Sequence, residues 1–314
     1  MAEQVKIIYG SFPLNLLQRS DIDEISAILE KAGVKDIDTA RIYPDSEKII
    51  GELQLPNRFT IHTKASGFSG GCLTKDNINK SIEESLSLLG VPSVETFFLH
   101  SPDPETPIEE TLGAINSLYE QGKFKKFGLS NFATEDVKRI YEYAKSKNFV
   151  LPTVYQGSYN AFSRAIENDL FPLLRELHFS FYAYSPIAGG FLAKTPEQVL
   201  GDKSGRFDKS TMIGQMYLKL YNRPALIKGL EEWNELAEKT GISKFSLAYR
   251  WITHNSFLKR EFGDAVIIGG RTPSQISGAL ESISEGPLDH ETVKKIDEIW
   301  QLVKDEAPLN NYSF

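Results

Sequence analysis

Disulfides, membrane spans and an excess of positive charge are all missing from this chain, and each absence narrows what it can be. Cys72 is the only cysteine among 314 residues, so no intrachain bridge can form, and its neighbours Gly71 and Leu73 bring no base to activate it. No window reaches the length of a membrane span, and the opening MAEQVKIIYG lacks the apolar stretch of a secretion signal. A reducing, cytoplasmic setting without a membrane partner is the expectation. Basic residues number 35 against 42 acidic ones, a net charge of −7, which argues against nucleic acid or an anionic bilayer as partner. No histidine, cysteine and carboxylate pattern has metal-ligand spacing, so no metal is expected. No G-x-G-x-x-G follows the first apolar run, which removes the dinucleotide signature of a doubly wound sheet.

What is present is a rhythm. Short apolar runs alternate with amphipathic stretches, the pattern of strand–helix units around a parallel sheet. Strands are expected near Lys6–Tyr9, Asp36–Asp38, Phe59–Lys64, Thr96–His100, Lys126–Leu129, Val154–Gln156, Phe181–Tyr184 and Ala265–Ile268. Barrels built from such units are commonly single domains of about 250 residues or more. Residues 1–314 therefore read as one (β/α)8 TIM barrel. Helical patterns fall between the strands, as over Asp21–Ala32, Asp76–Leu89, Ile108–Gln121, Thr134–Lys147 and Asn168–Leu177. Ser20 is expected to cap the first helix and Thr106 to open a capping box with Glu109, while Gly33, Gly90 and Gly122 stop the helices before them. The interval Ile187–Thr240 breaks the rhythm as a long loop and helical insertion after strand 7. Gly189, Gly190, Gly201 and Gly205 would make it a mobile cover, with Arg206 as an anion clamp; an unstructured surface excursion is the plainer reading.

Strand ends around a closed parallel barrel converge on one face, where barrel enzymes keep their active sites. Asp38, Tyr43, Lys64 and His100 all fall there. Singly they are ordinary, since a tyrosine after a strand usually packs and a buried lysine–aspartate pair is often structural. Together they form an acid-catalysis group. A free phenol has a pKa near about 10, too weak an acid to protonate an alkoxide well at neutral pH, and the ammonium of Lys64 would lower it. Asp38 would keep Lys64 charged, and His100 would orient a substrate carbonyl oxygen. His62 shares the strand face of Lys64 and competes with His100; His178, His254 and His290 read as surface or structural. Hydride chemistry needs a cofactor, because side chains cannot deliver hydride. Ser130, Asn131 and Gln156 offer hydroxyl and amide partners for a carboxamide such as that of nicotinamide, and Tyr184 offers a flat face for a ring. Ser130-Asn131 equally suits a cap for the helix near Thr134, and the two roles can coexist.

The segments DTARIYPDSEKIIGE, HTKA, FFLHSPDPETPIEETL, GKFKKFGLSNF, LPTVYQGSYNAFSR and FYAYSPIAGGFL follow one another along nearly the whole chain. Through them the chain resembles the aldo-keto reductases, and specifically the aflatoxin-aldehyde reductase branch, for which LPTVYQGSYN and SGRF are the most specific. The resemblance implies a (β/α)8 barrel that binds NADPH in extended form and reduces carbonyl compounds to alcohols. It matches Asp38, Tyr43, Lys64 and His100 to the catalytic tetrad. Ser130, Asn131 and Gln156 match the carboxamide contacts and Tyr184 the stacking aromatic. Ser185–Leu192 and Arg206 match the pyrophosphate cover, and Gly269–Gln275, with Arg271 and Gln275 as phosphate ligands, the site of the adenosine 2′-phosphate. This last stretch departs from the family pattern: Gly270 stands where many members carry lysine, and Gly278-Ala279 where a Glu-Asn pair often contacts adenine.

The branch is known for dicarbonyls and semialdehydes and its members are often dimers, so a small-molecule carbonyl substrate and a homodimer follow as expectations. Substrate-lining candidates are Phe12, Arg41, Phe68, His100, Tyr159, Tyr221 and the tail PLNNYSF, with Arg41 or Arg223 favouring a substrate that carries a carboxylate. Two other functions stay open. One is a redox-sensing, NADPH-binding regulatory subunit similar to potassium-channel β subunits; the other is a barrel hydrolase or isomerase. Rapid cofactor oxidation with small aldehydes separates both from a reductase.

Overall fold

A computed structural model describes residues 4–12, 14–201 and 205–312 of the chain. Its eight strands are β1 (Lys6–Gly10), β2 (Asp36–Asp38), β3 (Thr60–Lys64), β4 (Val94–Leu99), β5 (Phe124–Ser130), β6 (Pro152–Ser158), β7 (Ser180–Tyr184) and β8 (Ala265–Ile268). Each pairs parallel with the next, and β8 closes on β1, which makes the (β/α)8 barrel. Strand positions agree with the sequence pattern to within two residues at either end.

Period-two alternation fixes which residues face the barrel axis. Ile8, Phe98, Val154, Tyr182, Ala265 and Ile267 form an apolar cluster of their own inside it. Their strand neighbours, such as Ile37, Phe97, Leu99 and Phe127, belong to the larger core shared with the helices. Gly128 pairs with Phe98 across β4 and β5, and a Cβ there would lie 2.2 Å from the Phe98 ring. Glycine is what lets that ring fill the axis.

The connecting helices are α1 (Arg19–Lys31), α2 (Ser46–Glu52), α3 (Lys75–Leu89), α4 (Ile108–Glu120), α5 (Thr134–Ser146) and α6 (Leu170–Glu176). Gly33, Gly90 and Gly122 take φ of 73°, 67° and 72°, the left-handed stops expected of them. Two start signals behave differently from expectation. α1 begins one residue before Ser20, with Gln18 at its cap and no side-chain cap bond. Thr106 spends its hydroxyl on Asp103 Oδ2 at 2.7 Å, leaving Pro107 to open α4.

The stretch after β7 is folded throughout its described residues. It runs through a tight turn at Ala188–Ala193, α7 (Pro196–Gly201), α8 (Met212–Tyr221), α9 (Pro224–Thr240) and α10 (Lys244–Arg250); α11 (Pro273–Ser284) and α12 (His290–Val303) follow β8. Phe191 stacks on Tyr221 at 4.9 Å, Phe207 meets Tyr217 at 5.6 Å, and Trp233 Nε1 donates to Leu192 O at 3.0 Å. These contacts bolt the segment down as a strap. Ser204 of the SGRF motif lies outside the described residues. Among those described, no helix is long and apolar enough to cross a membrane.

Candidate active site

Register builds the site. Asp38 pairs with His62 across β2 and β3, so Lys64 stands two residues nearer the carboxyl end of the barrel. From there its Nζ donates to Asp38 Oδ2 at 2.6 Å and to Thr39 O at 2.7 Å. The other oxygen of Asp38 accepts from Gln156 Nε2 at 2.9 Å. Burial pushes the Lys64 amine below its ordinary value, while Asp38 pulls it back up. Tyr43, in the turn after β2, has Lys64 Nζ 5.1 Å from its ring centroid, with Phe12 edge-on at 5.2 Å and His100 at 5.8 Å. Asp38, Tyr43, Lys64 and His100 are thus brought together.

The electrostatics differ from the expectation of an acidified phenol. Tyr43 is half-buried as a residue, yet enclosure of its hydroxyl raises the phenol well above its ordinary range. The charge of Asp38 raises it further, and the cation that opposes them is Arg206, across the cavity. Lys64 aims its protons at Asp38 and Thr39. Burial, helped by Lys64, holds His100 well below the usual imidazole value, so this ring is neutral. Its Nδ1 is buried without a partner. His62 is saturated by contrast: Nδ1 hydrogen-bonds Thr96 Oγ1 and Nε2 hydrogen-bonds Asp36 Oδ1, each at 2.9 Å. It packs beneath the site as a structural histidine.

Above these groups a cavity of about 1030 Å3 opens at the carboxyl ends of the strands. Ser130, Asn131, Gln156 and Tyr184 form part of its wall, and Phe12, Ser185, Arg206, Gly269, Arg271 and Gln275 extend it. Asn131 sits at φ 65°, where its Nδ2 donates to His100 O at 2.9 Å and its Oδ1 accepts from Tyr184 Oη at 2.8 Å. Ala133, with no side-chain bond, caps α5, so Ser130-Asn131 is not the cap. Ser185 Oγ accepts from Asn311 Nδ2 at 3.0 Å. The guanidinium of Arg206 donates to Tyr217 Oη at 2.8 Å and lies 5.5 Å from the Phe12 ring. Gln275 Oε1 accepts from Arg271 N at 2.7 Å, at the amino end of α11.

These residues fit an extended dinucleotide. The cavity matches the upper range of small-molecule sites, ~1,000 Å3. Its floor at the ends of β1 and β8 is glycine, and a Cβ on Gly10 or Gly270 would come within 2.9 Å of Ile267 or Gln275. Amide and hydroxyl groups gather near Tyr43, and Arg271 with the start of α11 offers an anion site at the far end.

Four expectations about substrate contacts are corrected. Arg41 does not line the cavity: its Nε donates to Glu84 at 3.0 Å and its Nη1 to Glu47 at 3.3 Å, which occupy its charge. Tyr159 is buried in the core, its hydroxyl donating to Glu167 Oε1 at 2.6 Å. Tyr221 is buried inside the strap. Arg223 likewise turns away, donating to Glu306 O at 3.1 Å. Sequence reasoning missed Tyr217, which lines the cavity one helical turn before Tyr221; nothing in the pattern separates the two. In the tail, whose Ser313 and Phe314 lie outside the described residues, Tyr312 packs on Phe68 with tilted rings 4.1 Å apart, and Phe68 lies 5.0 Å from His100.

A family model described as "Aldo/keto reductase family" matches residues 6–301. The chain is 40% identical over 283 residues to "Oxidoreductase sirO" of Leptosphaeria maculans, covering 90% of this chain and 86% of that protein. It is 39% identical over 299 residues to "Aflatoxin B1 aldehyde reductase member 2" of Homo sapiens, covering 90% and 82%. With "Aldo-keto reductase family 7 member A3" of Homo sapiens the identity is 38% over 297 residues, covering 90% and 89%.

Proposed function

We propose that this oxidoreductase, which belongs to the aldo/keto reductase family, uses NADPH to reduce aldehydes to alcohols, with Tyr43 as proton donor. The observation that carries the reading is the enclosure of Tyr43 and a neutral His100 at one cavity with Ser130, Asn131 and Gln156. When bound, the reduced nicotinamide supplies the hydride that no side chain can. Ser130, Asn131 and Gln156 orient its carboxamide, and Tyr184 flanks its ring. A neutral imidazole offers one N–H, and His100 gives it to the substrate carbonyl oxygen.

Tyr43 keeps its proton throughout the neutral range, as an ordinary phenol does, and burial holds that proton more firmly. An alkoxide is a stronger base than a phenolate, so the proton passes downhill without a lowered phenol pKa. Lys64, beneath the ring, steadies the charge that gathers on the phenol as the proton leaves. Asp38 ties Lys64 to Gln156 and so joins the acid to the carboxamide wall. Arg271 and the amino end of α11 favour the 2′-phosphate and hence NADPH over NADH. The name of the human relative, aflatoxin B1 aldehyde reductase member 2, supports an aldehyde as substrate.

Steady-state oxidation of NADPH and of NADH with a panel of aldehydes, semialdehydes and dicarbonyls tests this reading. Sustained turnover with NADPH is expected. A chain that holds NADPH yet turns over no carbonyl is a sensor and not a reductase.

A further inference from the structure

We propose that Phe245 is the platform on which the purine ring of the bound dinucleotide stacks, a role that rests on the NADPH reading above. One end of the cavity holds Tyr43 and His100; the other, where β8 runs out, is bounded by Gly269, Gly270, Arg271 and Gln275. Few groups there can read the edge of a base. The side-chain oxygen of Gln275 is engaged by the Arg271 amide, and Gly278 and Ala279 bring no polar side chain to α11.

What this end offers is an aromatic face. Phe245 lines the cavity from α10 and is half-buried, whereas Tyr249, one turn on, is 1% exposed. Tyr249 holds the Phe245 ring edge-on, with centroids 4.7 Å apart and planes at 65°. The ring runs alongside Gly278, where an added Cβ would stand 3.9 Å from Phe245 Cε1. Glycine at 278 brings no side chain over this edge of the ring. An aromatic ring held in place at the cavity wall, with the exposed Arg271 in the same lining, suits a purine that carries a phosphate nearby. Stacking on a π-face is indifferent to edge groups. It supplies what the missing polar contacts do not.

The test is equilibrium binding of NADPH and of 2′,5′-ADP, which has no nicotinamide, to the wild-type chain and to Phe245→Leu and Phe245→Trp. Phe245→Leu should weaken both ligands about tenfold, ~1.4 kcal/mol, with the urea unfolding midpoint unchanged. Phe245→Trp should bind at least as tightly as wild type. Unchanged 2′,5′-ADP affinity in Phe245→Leu overturns the platform, as does equal weakening in both variants with a lowered unfolding midpoint. A wild-type chain that binds NADPH but not 2′,5′-ADP overturns it too. Failure of the wild type to bind either ligand sinks the NADPH reading itself.

Discussion

Two groups of the same kind of residue sit one above the other inside the barrel, and they have opposite fates. In the lower one, Asp36 Oδ1 takes His62 Nε2 at 2.9 Å and Lys6 Nζ at 2.6 Å, and His62 also holds Thr96. Two residues further along the same strands, Asp38 takes Lys64 and Gln156, while His100 keeps an unmet Nδ1 and Tyr43 faces a cavity. Carboxylate, cation and imidazole occur in both. A buried ion pair is weak evidence of purpose by itself. Unmet hydrogen-bonding capacity beside open space is what sets the upper group apart.

The difference breaks most visibly at Lys64. Lys64→Met leaves Asp38 buried with Gln156 as its remaining side-chain partner, which should cost about 3–5 kcal/mol of stability, and should lower kcat on the order of 100-fold or more. Urea denaturation and steady-state rates read the two effects; a fully stable, active variant would remove the upper group's claim. In the lower group, His62→Leu strips Thr96 and Asp36 of a partner each. It should cost about 2 kcal/mol by the same denaturation while kcat stays within about twofold of wild type, because His62 makes no contact with the cavity. A collapse in turnover like that of Lys64→Met would erase the contrast.

A smaller effect concerns the pH response of His100. Burial holds native His100 well below the unfolded imidazole value of 6.5. Below that value the unfolded chain binds a proton that the native ring refuses, so stability is full above it and falls as pH drops beneath it. His100→Gln should flatten this loss between about pH 7 and pH 5, which Tm against pH will show; an unchanged slope places the sensitivity elsewhere. The smallest effect on turnover belongs to Arg41. Arg41→Gln takes the ion-pair partner from the buried Glu47 carboxylate, which should cost about 1–3 kcal/mol, and should leave kcat/KM for carboxylated aldehydes unaltered. A loss confined to those substrates would return Arg41 to the binding site.

The strands and the upper group were legible because both depend on local pattern. Each strand is a short buried run, and Asp38, Lys64, Ser130, Gln156 and Tyr184 stand at strand ends that a closed barrel must gather. Long-range partners were not legible. Arg41 is claimed by Glu84, 43 residues away, and Tyr217 differs from Tyr221 only in which side of the strap it shows to the cavity. Ser20 and Thr106 fit helix-start rules that tertiary contacts overrode. The direction of the Tyr43 shift was missed for a similar reason. Burial of a phenol is a property of everything packed around it, and here it outweighs the opposing cation, Arg206.

The most direct measurement is NADPH binding and aldehyde turnover by Tyr43→Phe, compared side by side with wild type. Removing one hydroxyl from the open group should leave NADPH affinity within about twofold while kcat falls by about 100-fold to 10,000-fold. A variant that binds NADPH and turns over at the wild-type rate would show that the proton comes from another group and that Tyr43 is packing.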